Sequence, residues 1–360
     1  MFDFDKLAKR YELLWNKENH DRPLITLFAP RENIDWSGFP KAPEDVRKRW
    51  TDAEFLIRRH RFYMQNTTLY LGEAFPQTWV NLGPDILGAI CGCEIEFGED
   101  TSWAVHTFGE GDLAKKDIRF DPENKWFRAL CELTQAFVED SKGEYVVGVT
   151  DLHPGLDGIT SLRGPENVCL DLFDSAEEVK KANFQICEVF KQVYESQYSA
   201  VTKYLPYTTN WMNIFSADRE YVTSCDFSCL ISKDMYSEFV LPELLQELEF
   251  LDSSIYHLDG VAALTHLDTL CSLPALKGIQ WVPGSGQKPM REWIDVLQKI
   301  QDSGKMIDIT VEPEDVKILC EHLDPEGVMM HCTVRSREEG ENLLKLMEKT
   351  CTARRREKQR

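Results

Sequence analysis

Residues 253–287 read SSIYHLDGVAALTHLDTLCSLPALKGIQWVPGSGQ. Two short apolar runs, 254–258 and 277–282, enclose a segment long enough for a helix. Each run ends in side chains with chemistry. His257 and Asp259 close the first; Gln280, Trp281 and the turn Gly284-Ser285-Gly286 close the second. The spacing predicts a strand–helix–strand unit with its polar groups at the strands' C-terminal ends, the edge at which parallel α/β folds place their ligands.

Working outward, the same alternation continues in both directions. Downstream, 290–303 reads as a helix, 306–311 as a strand, 314–323 as a helix, 327–332 as a strand and 337–350 as a helix. Upstream, YVVGVT at 145–150 is an apolar run of buried-strand type, 175–203 is one long helix, and 209–214 and 221–227 are strand candidates. A helix over 232–251 contains Pro242, which should kink or split it. The spacing of Trp126, Leu130, Leu133 and Phe137 predicts a helix over 121–141. In the N-terminal part, 2–15 is an amphipathic helix, 24–28 a strand, and 43–65 a highly charged helical stretch. Strands alternating with helices predict parallel β/α units. With about eight strand candidates, the expected fold is α/β, a (β/α)8 TIM barrel with N-terminal helical additions. It is expected as a single domain over 1–350, followed by a basic, disordered tail over 351–360.

Composition narrows the function. Hydrophobic content of 42% and aromatic content of 11% suit a filled core. Sixty-one acidic against 41 basic residues give a formal charge of −20, which argues against nucleic acid or an anionic membrane as partner. The eleven cysteines are scattered and odd in number, and Cys91 and Cys93 are too close for an ordinary bridge. The start, MFDFDKLAKR, does not resemble a signal peptide, and no apolar run reaches the roughly 18 residues of a membrane span. A reducing cytoplasm with free thiols is the expected setting.

Several residues could carry chemistry, and each has an ordinary alternative. His257 and Asp259 point the same way by strand alternation and could bind a metal or shuttle a proton; Asp259-Gly260 is equally a turn signal. Cys332, at the end of the last strand, would build a zinc site with His257, or be a small buried residue. Asp151, His153 and Asp157 form a polar cluster after a strand, with Arg163 following. Asp85 follows Gly-Pro and is either a helix N-cap or a catalytic carboxylate. Trp79, Trp211 and Trp281 could line a pocket for a flat ligand, though tryptophans more often fill cores. The Gly284-Ser285-Gly286 turn has neither the spacing nor the lysine of a phosphate loop.

Five stretches, in this order, resemble the uroporphyrinogen decarboxylase superfamily: PDILGAICGCEIEFGED (84–100), TDLHPGLDGITSLRGPENVCLDLFD (150–174), CDFSCLISKDMYSEFVLPEL (225–244), YHLDG (256–260) and IQWVPGSGQ (279–287). The resemblance runs from about Arg22 to Lys349 and implies a (β/α)8 barrel with a deep pocket. One branch of that superfamily decarboxylates uroporphyrinogen through an essential Asp, where Asp85 stands here. Its arginine-rich N-terminal motif is represented only by Arg31 in LITLFAPRENIDW. The other branch, the corrinoid-linked methyltransferases, binds zinc through a His-x-Cys pair and a distant Cys. His257 matches the His and Cys332 falls near the distant Cys, but Asp259 stands where that branch has its middle Cys. An oxygen ligand makes the site harder, which disfavours a thiol acceptor and suits an oxygen- or nitrogen-bound methyl group.

The expectation is thus a cytoplasmic, metal-dependent methyltransferase moving a methyl group between a small methylated substrate and a corrinoid carried by a partner protein. Asp85, Asp151 and His257 are its candidate catalytic residues. Trp79, His153, Arg163, Trp211, Gln280 and Trp281 are its substrate residues, and His257, Asp259 and Cys332 hold zinc. The alternatives are a carboxy-lyase acting on a smaller carboxylate, with Asp85 essential and His257 a proton donor, and a non-enzymatic barrel binding a tetrapyrrole or metabolite.

Overall fold

The protein is described over residues 2–358 in a computed structural model. Among these residues the strands are β1 (Leu24–Pro30), β2 (Thr68–Gly72), β3 (Gln77–Trp79), β4 (Glu94–Phe97), β5 (Ser102–Val105), β6 (Val146–Gly148), β7 (Glu220–Ser224), β8 (Ser253–Asp259), β9 (Gly278–Val282), β10 (Met306–Thr310) and β11 (Val328–Thr333). The class is α/β. Where the sequence reads as one continuous domain, the chain gathers into two compact units. One comprises Met1–Phe39, Arg59–Pro76 and Ser254–Arg360; the other comprises Pro40–Arg58 and Gln77–Ser253.

In the first unit the strands run in the order β2-β1-β11-β10-β9-β8. All neighbours are parallel except β1 and β2. The five parallel strands are buried along nearly their whole length, and β1, β8, β10 and β11 become exposed only at their last residue. Such continuous burial belongs to a sheet covered on both faces. Helices Pro313–His322 and Arg337–Lys358 pack on each other in this unit. The last helix continues through the segment expected to be a disordered tail, as far as Lys358; residues 359 and 360 lie outside the described residues.

The second unit carries β3 and β6 as a parallel pair and β4 and β5 as an antiparallel one. The helix expected from 121 begins at Lys125, because the Asn124 side chain accepts from the Trp126 and Phe127 amides and caps it there. The helix expected over 232–251 is split as Pro242 requires. A π turn at Tyr236–Val240 precedes Leu241–Phe250, which has the proline in its first turn. The expected strand over 209–214 does not form. Asn213 takes a left-handed φ of 62°, and Thr208 makes only an isolated bridge to Ser216. The described strands accordingly fall into separate sheets, not one closed ring of eight. Among the described residues no helix is long and apolar enough to cross a membrane.

The start of β1 is fixed by charge. Glu73, which is buried, accepts from Arg22 at 2.8 and 2.9 Å, from Arg10 at 3.1 Å and from the Ile25 amide at 2.9 Å. Removing one member of a buried ion cluster strands the others without solvent. Glu73→Ala is expected to destabilise the fold by about 3–5 kcal/mol, read as a fall in the urea midpoint. A loss within experimental scatter would show that water satisfies the two guanidinium groups unaided.

Candidate active-site clusters

In the first unit one polar residue from each of five neighbouring strands lies on the same sheet face, and the five join end to end. Parallel register sets Thr26 beside His331, Gln280 beside Asp308, and His257 beside Gln280. His257 Nδ1 is 2.5 Å from Gln280 Oε1, and Gln280 Nε2 donates to Asp308 Oδ1 at 2.8 Å. His331 Nε2 is 2.8 Å from Asp308 Oδ2, and His331 Nδ1 is 2.8 Å from Thr26 Oγ1. Asp308 is fully buried.

This chain assigns protons. The Gln280 amide must present its NH2 to a carboxylate, so its oxygen faces His257 and accepts from Nδ1–H. A neutral His257 then carries its lone pair on Nε2. His257 is half-buried, and Asp259, two residues further along β8 on the same face, is exposed.

The same alternation corrects two expectations. Trp281 lies on the opposite face from Gln280, is fully buried, and packs edge-on against Trp293 with ring centroids 5.2 Å apart. It is a core residue, not a pocket wall. Cys332 lies on the opposite face from His331, and its thiol donates to the Thr333 carbonyl. Burial, with Glu312 and Glu339 nearby, pushes this thiol up to about 12. His257, Asp259 and Cys332 therefore do not assemble as three zinc ligands: adjacent β11 residues face opposite ways, and it is His331 that shares the polar face.

The second unit holds the other cluster. His153 lies between two carboxylates, with Nε2 3.1 Å from Asp151 Oδ1 and Nδ1 3.6 Å from Asp157 Oδ2. Ser224 Oγ is 3.3 Å from the same Nδ1. Asp157 in turn accepts from the Asp226 and Phe227 amides at 2.8 and 2.9 Å, which fixes both of its oxygens. Tyr221 on β7 pins the loop leading into the cluster, its hydroxyl lying 3.2 Å from the Thr150 carbonyl and accepting from the Leu152 amide. Burial pulls the His153 pKa down, but Asp151 and Asp157 outweigh it and raise the pKa well above 6.5.

Behind this cluster Glu243 and Glu247 are buried on one helix face, and desolvation raises both carboxyls far above the usual carboxylate range. Gly155 makes the close approach possible. Its φ is 63°, and a Cβ there would lie 2.8 Å from Glu243 Oε2. His153, Asp157 and Asp226 also offer donor atoms within 4.8 Å of one another, an N/O set compatible with a cation. A cation there would have to displace the His153 proton.

The remaining expected residues have varied fates. Asp85 occupies the N-cap position of helix Ile86–Cys91 without capping it; its Oδ1 accepts from Ser161 Oγ at 2.6 Å. Arg163 is buried and paired through two nitrogens with Asp171, at 2.8 and 3.3 Å. That pairing counts against the substrate-binding role expected for it. Trp79 is half-buried on β3, and Trp211 is half-buried in the turn that replaces the expected strand. Asp308, Thr26, Glu243 and Glu247 were not singled out by sequence reasoning. Asp308 had a readable signal, a carboxylate in the middle of the apolar strand MIDIT.

No family model and no curated protein sequence matches the chain. Among solved structures it is similar to a methyltransferase from Methanosarcina mazei, with a TM-score of 0.64 and 12% sequence identity over 95% of this chain and 98% of that one. At that identity the likeness is one of fold.

The raised His153 pKa has a definite sign in stability. A folded-state pKa above the unfolded value near 6.5 gives stabilisation that is fully present below pH 6.5 and is lost as pH climbs through the folded value. The stability difference between the wild type and His153→Gln is expected to be larger at pH 6 than at pH 9.5, and the His153 ring to stay protonated through neutrality by NMR. Titration of the ring at or below pH 6.5 would overturn this.

Proposed function

We propose that the protein is a metal-dependent methyltransferase of the kind its sequence resembles, passing a methyl group between a small oxygen- or nitrogen-methylated substrate and a corrinoid on a partner protein. The observation that carries this reading is the hydrogen-bonded chain ending at His257. A histidine whose Nδ1–H is tied to a second polar group, itself anchored by a buried carboxylate, has the arrangement that orients metal-ligating imidazoles. The fold likeness to a methyltransferase is a second support.

The donor chemistry in this unit is nitrogen from His257 and oxygen from Asp259, a pair that fits zinc or a harder divalent ion. A Lewis-acidic ion held there would polarise the heteroatom that carries the methyl group. Gln280 and Asp308 keep the imidazole correctly turned.

The test is metal analysis combined with methyl transfer to cob(I)alamin, followed by absorbance. Wild-type protein should bind about one divalent ion and methylate the corrinoid from a methylated amine or alcohol. His257→Ala should abolish both. Gln280→Leu should weaken metal binding about 10- to 100-fold, and should also lower the urea midpoint because it leaves one oxygen of buried Asp308 without its donor. A wild type that binds no metal and shows no metal-stimulated transfer would refute the proposal.

A further inference from the structure

Away from both clusters, the first unit contains a cavity of about 440 Å³ lined by His20, Cys320, Asp324, Cys351, Arg354 and Arg355, among others. Cys320 is in the last turn of helix Pro313–His322, and Cys351 is on helix Arg337–Lys358. The helix carrying Cys320 leads back from the end of β10 to the start of β11. The cavity therefore opens at the strands' N-terminal end, opposite the exposed ends of β8 and β10. No step of the proposed methyl transfer uses it.

Two features distinguish these cysteines. First, they are neighbours: both are buried, both line this one cavity, and the two helices that carry them pack on each other. Second, cations surround them. Arg354 reaches the His322 carbonyl at 3.1 Å and Asp324 at 3.2 Å, and its Nη1 is buried without a hydrogen-bond partner among the described residues. Arg355 binds the His20 and Asp21 carbonyls and so closes the last helix onto the loop before β1. His20 is paired with Glu326, and the cavity's other acid, Asp324, is held by Arg354.

We propose that Cys320 and Cys351 form a peroxide-reactive dithiol that closes to an intramolecular disulfide, a modification site separate from the methyl-transfer machinery. The Cys351 thiolate attacks one oxygen of a hydroperoxide. The O–O bond breaks, the departing alkoxide takes a proton and leaves as an alcohol (water, for hydrogen peroxide), and Cys351 becomes a sulfenic acid. Cys320 then attacks that sulfur. The S–S bond forms, the S–O bond breaks, and the hydroxide leaves as water with the Cys320 proton. Two thiols and one peroxide thus give one disulfide, one alcohol and one water. The peroxide supplies the oxidising equivalents, and the cavity is large enough to admit it.

The electrostatics assign the roles. The neighbouring Cys320, with Arg354, Arg22 and Arg355, outweighs burial and holds the Cys351 thiol below its ordinary range. Cys351 and burial push Cys320 up. One sulfur is therefore set to attack and the other to resolve. Desolvation raises Cys91, Cys93, Cys131, Cys187, Cys225 and Cys332. Exposure alone would favour Cys229, which is the exposed cysteine.

The test is oxidation of the full chain with hydrogen peroxide, then alkylation, proteolysis and mass spectrometry. The expected product is a Cys320–Cys351 cross-linked peptide that dithiothreitol reverses. Cys320→Ser should strand the intermediate, so that dimedone labels Cys351. Cys351→Ser should lower oxidation of Cys320 to background. Arg354→Met should slow alkylation of Cys351 about three- to ten-fold, with the rate at Cys229 as internal control. If wild-type protein is oxidised at Cys229 or elsewhere while Cys320 and Cys351 stay reduced and unlabelled, the proposal is overturned; that reading needs no variant to fold.

Discussion

A fully buried carboxylate, Asp308, is the constraint on which the first unit depends. An ionised carboxylate in a dry core is tolerable only when its oxygens are satisfied. Here one oxygen accepts from Gln280 and the other from His331. Those two are held in turn by His257 and Thr26, so the requirement spreads over β8, β9, β10, β11 and β1. A slip of one residue in any of these strands would turn its polar member toward the helices and leave part of the chain unpaired. The need to satisfy one charge thereby sets the register of the sheet and the orientation of the histidine at its edge.

The same constraint explains what was legible in the sequence. Apolar runs alternating with helical periodicity gave the strands and helices from 145 onward, because burial dictates both patterns locally. His257, Gln280, Asp151 and His153 were visible because they end such runs. Faces were harder. Trp281 and Cys332 sit at strand ends, as ligands would, yet alternation turns each toward the helices. Reading the pairs Gln280-Trp281 and His331-Cys332 as opposite faces would have predicted this. Arg163 was misread because its partner, Asp171, is eight residues away on the next helix, and no spacing rule spans a chain reversal of that kind. The N-terminal half stayed obscure for a related reason. Its β strands are as short as three residues; beyond it, the stretch 209–214 has strand composition but turns at Asn213.

The two units treat histidine in opposite ways. In the first, the Gln280 amide oxygen, itself oriented through its nitrogen by Asp308, fixes the turn of the His257 ring. In the second, two carboxylates flank His153 directly and hold it as an imidazolium. The first arrangement fixes the turn of a ring, and the second preserves a proton.

The buried pair Glu243 and Glu247 shows how the second arrangement is kept stable. With both ionised, four carboxylates would surround a single imidazolium, and the excess negative charge would have no solvent to spread into. Desolvation resolves this by keeping the two glutamates protonated. The local sum is then Asp151, Asp157 and one imidazolium, one net negative charge instead of three. Gly155 admits Glu243 to this position because any larger residue would collide with its carboxyl. The burial that keeps the glutamates protonated is therefore what leaves Asp151 and Asp157 as the carboxylates that hold the charge of His153.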